Sequence, residues 1–296
     1  MGKIIDLHIH TNLSDGELSP KEVVDLAFSN GVSVIAIADH DTVDAYNDEF
    51  YDYVKSKGID VINAVEISTV NNSIGIHILG YNIDISNQEL KQKLSTLKNA
   101  RHNYLHAVLS RLEELDYVTE IEELEKIEVV TKAHIANNII SNPSNHDLLL
   151  KNFKHIPNKG EFIETIMNEG CIAYVKKESM TSKEAADLIR KAGGKVIVAH
   201  PVAYKYEDDL SLSDILDLVN EIKADGIESN YIYIDRNNNK INEIDEWNKI
   251  AKEKNLIATI GSDFHMLDGI HPEIGLIEES INITESDLNE ILDNLS

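Results

Sequence analysis

Cysteine is nearly absent. The 296 residues include one, Cys171, which excludes an intramolecular disulfide framework and suits a reducing compartment. Long apolar runs are missing too: none approaches the roughly 18 residues that a membrane-spanning helix needs. Met1-Gly2-Lys3 leads straight into a strand pattern, without the apolar core and cleavage site of a signal peptide. A soluble, cytoplasmic protein with no membrane partner is the expectation. Basic residues are scarce, with 27 Lys and Arg against 52 Asp and Glu and a formal net charge of -25. Such a surface repels the nucleic-acid backbone, so stable duplex binding is not expected. No Gly-rich phosphate loop and no G-x-S-x-G elbow occurs, which argues against kinases, dehydrogenases and serine hydrolases.

What is present is a core-forming chain, 42% hydrophobic, long enough for one large α/β barrel or two ordinary domains. "KIIDLHIH" predicts a strand, "SPKEVVDLAFSNG" a helix started by Ser19-Pro20, and "VSVIAIADH" a strand buried on both faces. "TVDAYNDEFYDYVKSKG" predicts the next helix, and "IDVINAVEIS" with "IGIHILGY" a hairpin. From about Ile85 the pattern becomes helical and Asn-rich, with weak strand signals at "IEVVT" and "CIAYV". Residues 85–176 are therefore expected to form a mainly helical insertion between 1–84 and 177–296. Alternation then resumes through "TSKEAADLIRKAGG", "KVIVAH", "LSDILDLVNEIKA", "DGIESN", "NKINEIDEWNKIAKEKN" and "LIATIGSDFH", ending in the helix "TESDLNEILDNLS". Such alternation implies right-handed βα units in an open parallel sheet or a closed barrel.

The ionisable residues gather at the ends of these strands. His8 and His10 end the first, two apart and so on one face; Asp15 follows in the loop. His40 ends the second strand, Glu66 the third, His77 sits in the fourth, His200 closes "KVIVAH", and Asp263 and His265 follow "LIATIG". The carboxyl ends of barrel strands are where active sites are built. Taken singly, His77 or His200 reads as a hydrogen-bonded core histidine, Glu66 as a strand-end cap and Asp15 as a turn former. Together they read as a metal site. Imidazole and carboxylate without thiolate suit Mn, Zn or Fe. There are too many ligands for one ion, so two or three divalent ions and at least one bridging carboxylate are expected.

The ordered motifs "DLHIHTNLSDG", "ADHDT", Glu66 after "INAV", "HILGY", "AHP" and "GSDFH" resemble those of the PHP (polymerase and histidinol phosphatase) superfamily. The likeness is strongest to its small bacterial nucleotide phosphatases with a helical insertion, and it covers nearly the whole chain. It implies a distorted (β/α)7 TIM-like barrel with a trinuclear metal centre. His8, His10, Glu66 and Asp263 would hold the first ion, with Glu66 bridging to a second held by His77 and His200. Asp15, His40 and His265 would hold the third. "TKAHIANNII" resembles a family motif that usually reads Arg-Pro-His-Ile-Ala, with Lys132 and Ala133 replacing Arg and Pro and His134 kept. In related enzymes this lid and an arginine on the preceding helix face the substrate, so Arg101, Lys132 and His134 are the implied substrate residues. A second family arginine is Tyr104 here.

The expected activity is hydrolysis of phosphomonoesters by metal-activated hydroxide, with Asp15 or His265 handing a proton to the leaving group. The substrate expected is a small phosphorylated molecule: an AMP-like or 3′,5′-bisphosphate nucleotide, or the end of a short oligonucleotide. The rivals are histidinol-phosphate phosphatase, a 5′-3′ exonuclease on short RNA, and a metal-dependent amidohydrolase. The last typically needs a metal-bridging lysine, and no lysine ends a strand here.

Overall fold

The computed structural model describes residues 4–72, 74–124, 130–176, 179–235, 237–277 and 284–295. The chain falls into two compact units, Met1–Ser95 with Ser179–Ser296, and Thr96–Glu178. The helix Gln88–Glu113 begins in the first and ends in the second. Among the described residues no helix is long and apolar enough to cross a membrane.

The first unit is α/β. Its strands β1 (Ile4–Ile9), β2 (Val32–Ile37) and β3 (Asp60–Val61) form a parallel sheet in the order β1-β2-β3. Helix Pro20–Ser29 connects the first two. Ser19 and Glu22 close a capping box, Pro20 supplies the preset φ of a first turn, and Val23, Val24 and Ala27 face the core. The other strands are β4 (Ala64–Asn71), β5 (Ile74–Tyr81), β6 (Met180–Thr181), β7 (Lys195–Val198), β8 (Gly226–Asn230), β9 (Tyr233–Ile234), β10 (Lys240–Ile241) and β11 (Ile257–Ile260). A six-stranded sheet runs β11-β8-β7-β5-β4-β6, while β9 and β10 pair separately. The β4–β5 hairpin holds one register from Ala64↔Tyr81 to Asn71↔Ile74, and β5 is antiparallel to β7 as well. Isolated parallel bridges Ile9↔Phe264 and His40↔Glu66 tie the ends of β1 and β2 to this sheet. Leu7, Ala36, Leu79, Ile197 and Ile260 share its apolar core.

Several elements differ from expectation. "IDVINAVEIS" is interrupted at Ile62 and Asn63, so β3 joins one sheet and β4 the other. The second helix starts only at Asp48, because Asn47 caps it by accepting from Phe50 N. The preceding loop is held by Tyr46, whose hydroxyl donates to Ile37 O and accepts from Ala64 N. Helix Pro201–Glu207, started by Pro201, was not legible in "AHPVAYKYE".

The second unit is helical, with a core that includes Leu105, Leu109, Ile135, Ile139, Phe162 and Met167. "CIAYV" forms turns there instead of a strand: Ala173 N donates to Ile166 O and Cys171 N to Asn168 O, which folds the segment onto the helices. Most of "IEVVT" lies outside the described residues.

Candidate metal centre

His8, His10, Asp15, His40, Glu66, His77, His200, Asp263 and His265 all lie in the first unit, and the fold brings them into one cluster. Most arrive just beyond strands β1, β2, β7 and β11. Glu66 does not sit at a carboxyl end as expected, while His77 sits inside its strand as read from the sequence. They lie within β4 and β5, and converge because β4 and β5 run antiparallel, with Ser68 opposite His77. Asp41, His200 and Asp263 have left-handed backbone, with φ of 52°, 26° and 54°. The chain turns sharply at these points just after β2, β7 and β11, at a conformational cost that non-glycine residues rarely bear.

Glu66 is the hub. Its Oε2 lies 3.2 Å from His8 Nε2, His10 Nε2 and His40 Nδ1. Its Oε1 lies 3.1 Å from His77 Nδ1 and 3.2 Å from His200 Nε2. Asp263 Oδ1 is 3.4 Å from His8 Nε2 and 3.1 Å from His10 Nε2. Asp15 Oδ1 is 3.4 Å from both His10 Nδ1 and His265 Nε2, and its Oδ2 is 3.6 Å from His40 Nε2. Three overlapping groups have ligand atoms within 4.8 Å of one another: His10, Asp15, His40 and His265; His8, His10, Glu66 and Asp263; His40, Glu66 and His77.

Charge in the cluster is strongly coupled. Burial alone would depress His8, yet Glu228, Glu66 and Asp263 hold it well above its usual value. Burial likewise opposes His10, but Asp263, Glu66 and Asp15 lift it to about 10. His77 is raised despite burial, chiefly by Glu66. Burial pushes His40 well below the imidazole range, aided by the neighbouring His77 and His10. Burial would raise Glu66 and Asp263, but the surrounding imidazoles hold both well below the carboxylate range.

The donor set fits divalent cations. His8 Nδ1 is committed to Glu228, at 2.9 Å from Oε1, so a neutral His8 presents its Nε2 lone pair to the cluster. That atom faces His10 Nε2 at 3.1 Å. Glu66 Oε2 and Asp15 Oδ1 are buried without a hydrogen-bond partner. Buried lone pairs that converge without donors require a shared cation or proton, and imidazole with carboxylate suits Mn, Zn or Fe.

Sequence reasoning missed the residues behind the cluster. Glu228, fully buried on β8, accepts from His8 Nδ1 and, at 2.8 Å, from His200 N. Asp39 accepts from Thr11 N, Thr11 Oγ1 and Ser14 Oγ, fixing the loop that carries Asp15. Asp6 accepts from His8 N, Ser262 N and Gly275 N, and burial raises it to about 6. Gly261 allows the close approach of β11 to β1, since a Cβ there would collide with His8 Cβ and Glu228 Oε1. The available signal was a carboxylate inside an apolar strand, as in "GIESN". Glu228→Ala strands two buried donors and is expected to lower stability by about 3–5 kcal/mol. Urea unfolding in EDTA measures this, and an unchanged midpoint would contradict the role given to Glu228.

Lys132 and His134 belong to the second unit. There Lys132 Nζ donates to Asn168 Oδ1, while His134 forms a capping box with Thr131 at the start of helix Lys132–Ser141. The Arg101 side chain lies outside the described residues. Tyr104 is buried in the helical core.

The PHP domain family matches residues 6–257. The chain belongs to this family, and is with it a metal-dependent phosphoesterase. A 5′-3′ exoribonuclease of Haemophilus influenzae is 30% identical over 293 residues, covering 96% of this chain and 99% of its own. The 5′-3′ exoribonuclease Rnm of Escherichia coli is 29% identical, over 88% of this chain and 85% of its own. A 3′,5′-nucleoside bisphosphate phosphatase of Chromobacterium violaceum is 25% identical, over 88% and 87%. Among solved structures, a Chromobacterium violaceum amidohydrolase with bound sulfate shares the fold at a TM-score of 0.71 and 23% identity, covering 98% of this chain and 96% of that one.

Proposed function

We propose that this phosphoesterase hydrolyses phosphate esters of nucleotides at a centre of two or three divalent ions organised by Glu66. The observation that carries this reading is the division of the Glu66 carboxylate. One oxygen faces His8, His10 and His40, and the other faces His77 and His200. It supports Glu66 as the bridging ligand, with His8, His10 and Asp263 at one ion, His77 and His200 at a second, and Asp15, His40 and His265 at a third. When bound, such ions supply Lewis acidity toward the phosphoryl group and an activated water near neutral pH.

The protein's own groups do the rest. Glu228 fixes the tautomer of His8, and Asp39 holds the loop bearing Asp15. Asp15 and His265, each with 29% of the side chain exposed, are among the more accessible members and are the candidates to pass a proton to the leaving oxygen. Lys132 and His134 are the candidates for binding the substrate phosphate, together with Arg101. The bridges Ile9↔Phe264 and His40↔Glu66 favour closure of β1, β2, β4, β5, β7, β8 and β11 into a distorted TIM-like barrel, with the second unit as its helical insertion.

With Mn²⁺ supplied, a screen scored by released phosphate is expected to show turnover of 3′,5′-bisphosphate nucleotides or AMP in preference to histidinol phosphate. A failure to cleave any phosphoester with Mn²⁺, Zn²⁺ or Fe²⁺ would sink the reading. A second reading, 5′-3′ exonuclease action on short RNA, is favoured by the Haemophilus and Escherichia relatives. Stepwise release of mononucleotides from the 5′ end of an end-labelled oligoribonucleotide would select it.

A further inference from the structure

We propose that Tyr231 is a positioning residue that holds Asp263 and His200 in their ligand orientations; the inference rests on the metal-centre reading above. In the six-stranded sheet β8 lies between β7 and β11. His200 follows β7, Asp263 follows β11, and Tyr231 is the first residue beyond β8. The topology therefore places Tyr231 between two candidate ligands that have no regular secondary structure to orient them. Both stand on left-handed backbone.

The side-chain geometry uses this placement twice. The Tyr231 hydroxyl donates to Asp263 Oδ2 at 3.4 Å, which leaves Oδ1 facing His8 and His10. Its ring packs against the His200 ring with centroids 5.6 Å apart. His200 needs such support, because its Nδ1 is buried without a hydrogen-bond partner. Metal-binding histidines ordinarily donate that second ring nitrogen to an acceptor, which fixes their orientation. On that side the ring is held by packing, with the Tyr204 ring at 5.4 Å and the His77 ring at 5.3 Å as further neighbours, while its Nε2 faces Glu66 Oε1. The Tyr204 hydroxyl is occupied by the His77 backbone, accepting from His77 N at 2.8 Å. Tyr231 thus touches both candidate ligands from outside the proposed ligand set.

The test compares wild type with Tyr231→Phe and Tyr231→Leu, full length and metal-free, titrated with Mn²⁺ alone. Tyr231→Phe keeps the ring and loses the hydroxyl, and is expected to bind Mn²⁺ about 10-fold more weakly, in line with the loss of other groups that orient metal ligands. Tyr231→Leu also loses the ring and is expected to bind more weakly still. Co²⁺ substitution is expected to give an altered visible spectrum in both. Tyr117→Phe, in the second unit, is expected to match wild type. Thermal unfolding in EDTA separates folding from binding. A lowered midpoint with unchanged Mn²⁺ affinity, or wild-type affinity and spectrum in Tyr231→Phe, would overturn the proposal. A wild-type protein that binds neither Mn²⁺ nor Co²⁺ would instead overturn the metal-centre reading, and this inference with it.

Discussion

Glu66→Gln is expected to abolish turnover while the protein stays folded. The argument is geometric. A glutamine amide keeps one oxygen and replaces the other with a donor. If the amide nitrogen takes the place of Oε2, it faces His8, His10 and His40; if it takes the place of Oε1, it faces His77 and His200. Either orientation deprives one side of the cluster of its shared anion. The loss is expected to be at least a thousandfold in kcat/KM, equivalent to about 4 kcal/mol of barrier. The β4–β5 ladder depends on backbone pairing from Ala64↔Tyr81 to Asn71↔Ile74, so the far-UV circular dichroism is expected to be unchanged. His40→Ala and Asp263→Ala are expected to lose activity similarly. Wild-type turnover in Glu66→Gln, with metal supplied, would refute the hub assignment.

Metal removal is expected to have the second-largest effect, and its sign with pH follows from the imidazoles. His10 is raised from 6.5 to about 10 in the metal-free fold, and His8 and His77 are raised with it. A raised imidazole binds its proton more tightly folded than unfolded. Its contribution to metal-free stability is therefore complete below pH 6.5 and is lost as pH rises through its folded value. His40 behaves oppositely: it is depressed, so it weakens the metal-free fold as pH falls below its ordinary value. With His8, His10 and His77 as the proposed ligands, divalent ions would displace their protons, so metal affinity is expected to rise from pH 6 toward 9. Binding is expected to release protons, measurable by calorimetry in two buffers of different ionisation enthalpy. At a free metal concentration of about 1,000 times Kd, the bound form is expected to gain about 4 kcal/mol of stability. An EDTA-treated protein that melts with the metal-loaded one would contradict this.

The candidate ligands were legible because their signal is local. Two histidines in alternation on "DLHIH" must share a face, and a polar residue closing an apolar strand has few structural reasons to be histidine. The supports behind them were not legible. Glu228 sits in "GIESN", where one carboxylate in a short strand reads equally as solvent-facing, and its partners are far away in sequence at His8 and His200. Asp6 is similar, since Ser262 and Gly275 come from the far end of the chain. The α/β alternation of the first unit came through, although the antiparallel run of β5 against β7 did not, because an apolar strand carries no mark of its direction. "CIAYV" failed for another reason: its apolar residues serve a helical core, and five residues are too few for periodicity to tell one use from the other.

The left-handed backbone at His200 and Asp263 has a consequence for how this sequence can change. Glycine would fit both backbones with less strain, by roughly 1–2 kcal/mol each, yet it would delete a candidate ligand each time. At these two positions selection for a sturdier fold and selection for chemistry pull in opposite directions. A lineage released from the need for catalysis is therefore expected to drift toward glycine there, trading a working centre for a more relaxed chain. Stability-guided redesign would make the same exchange unless both residues were held fixed.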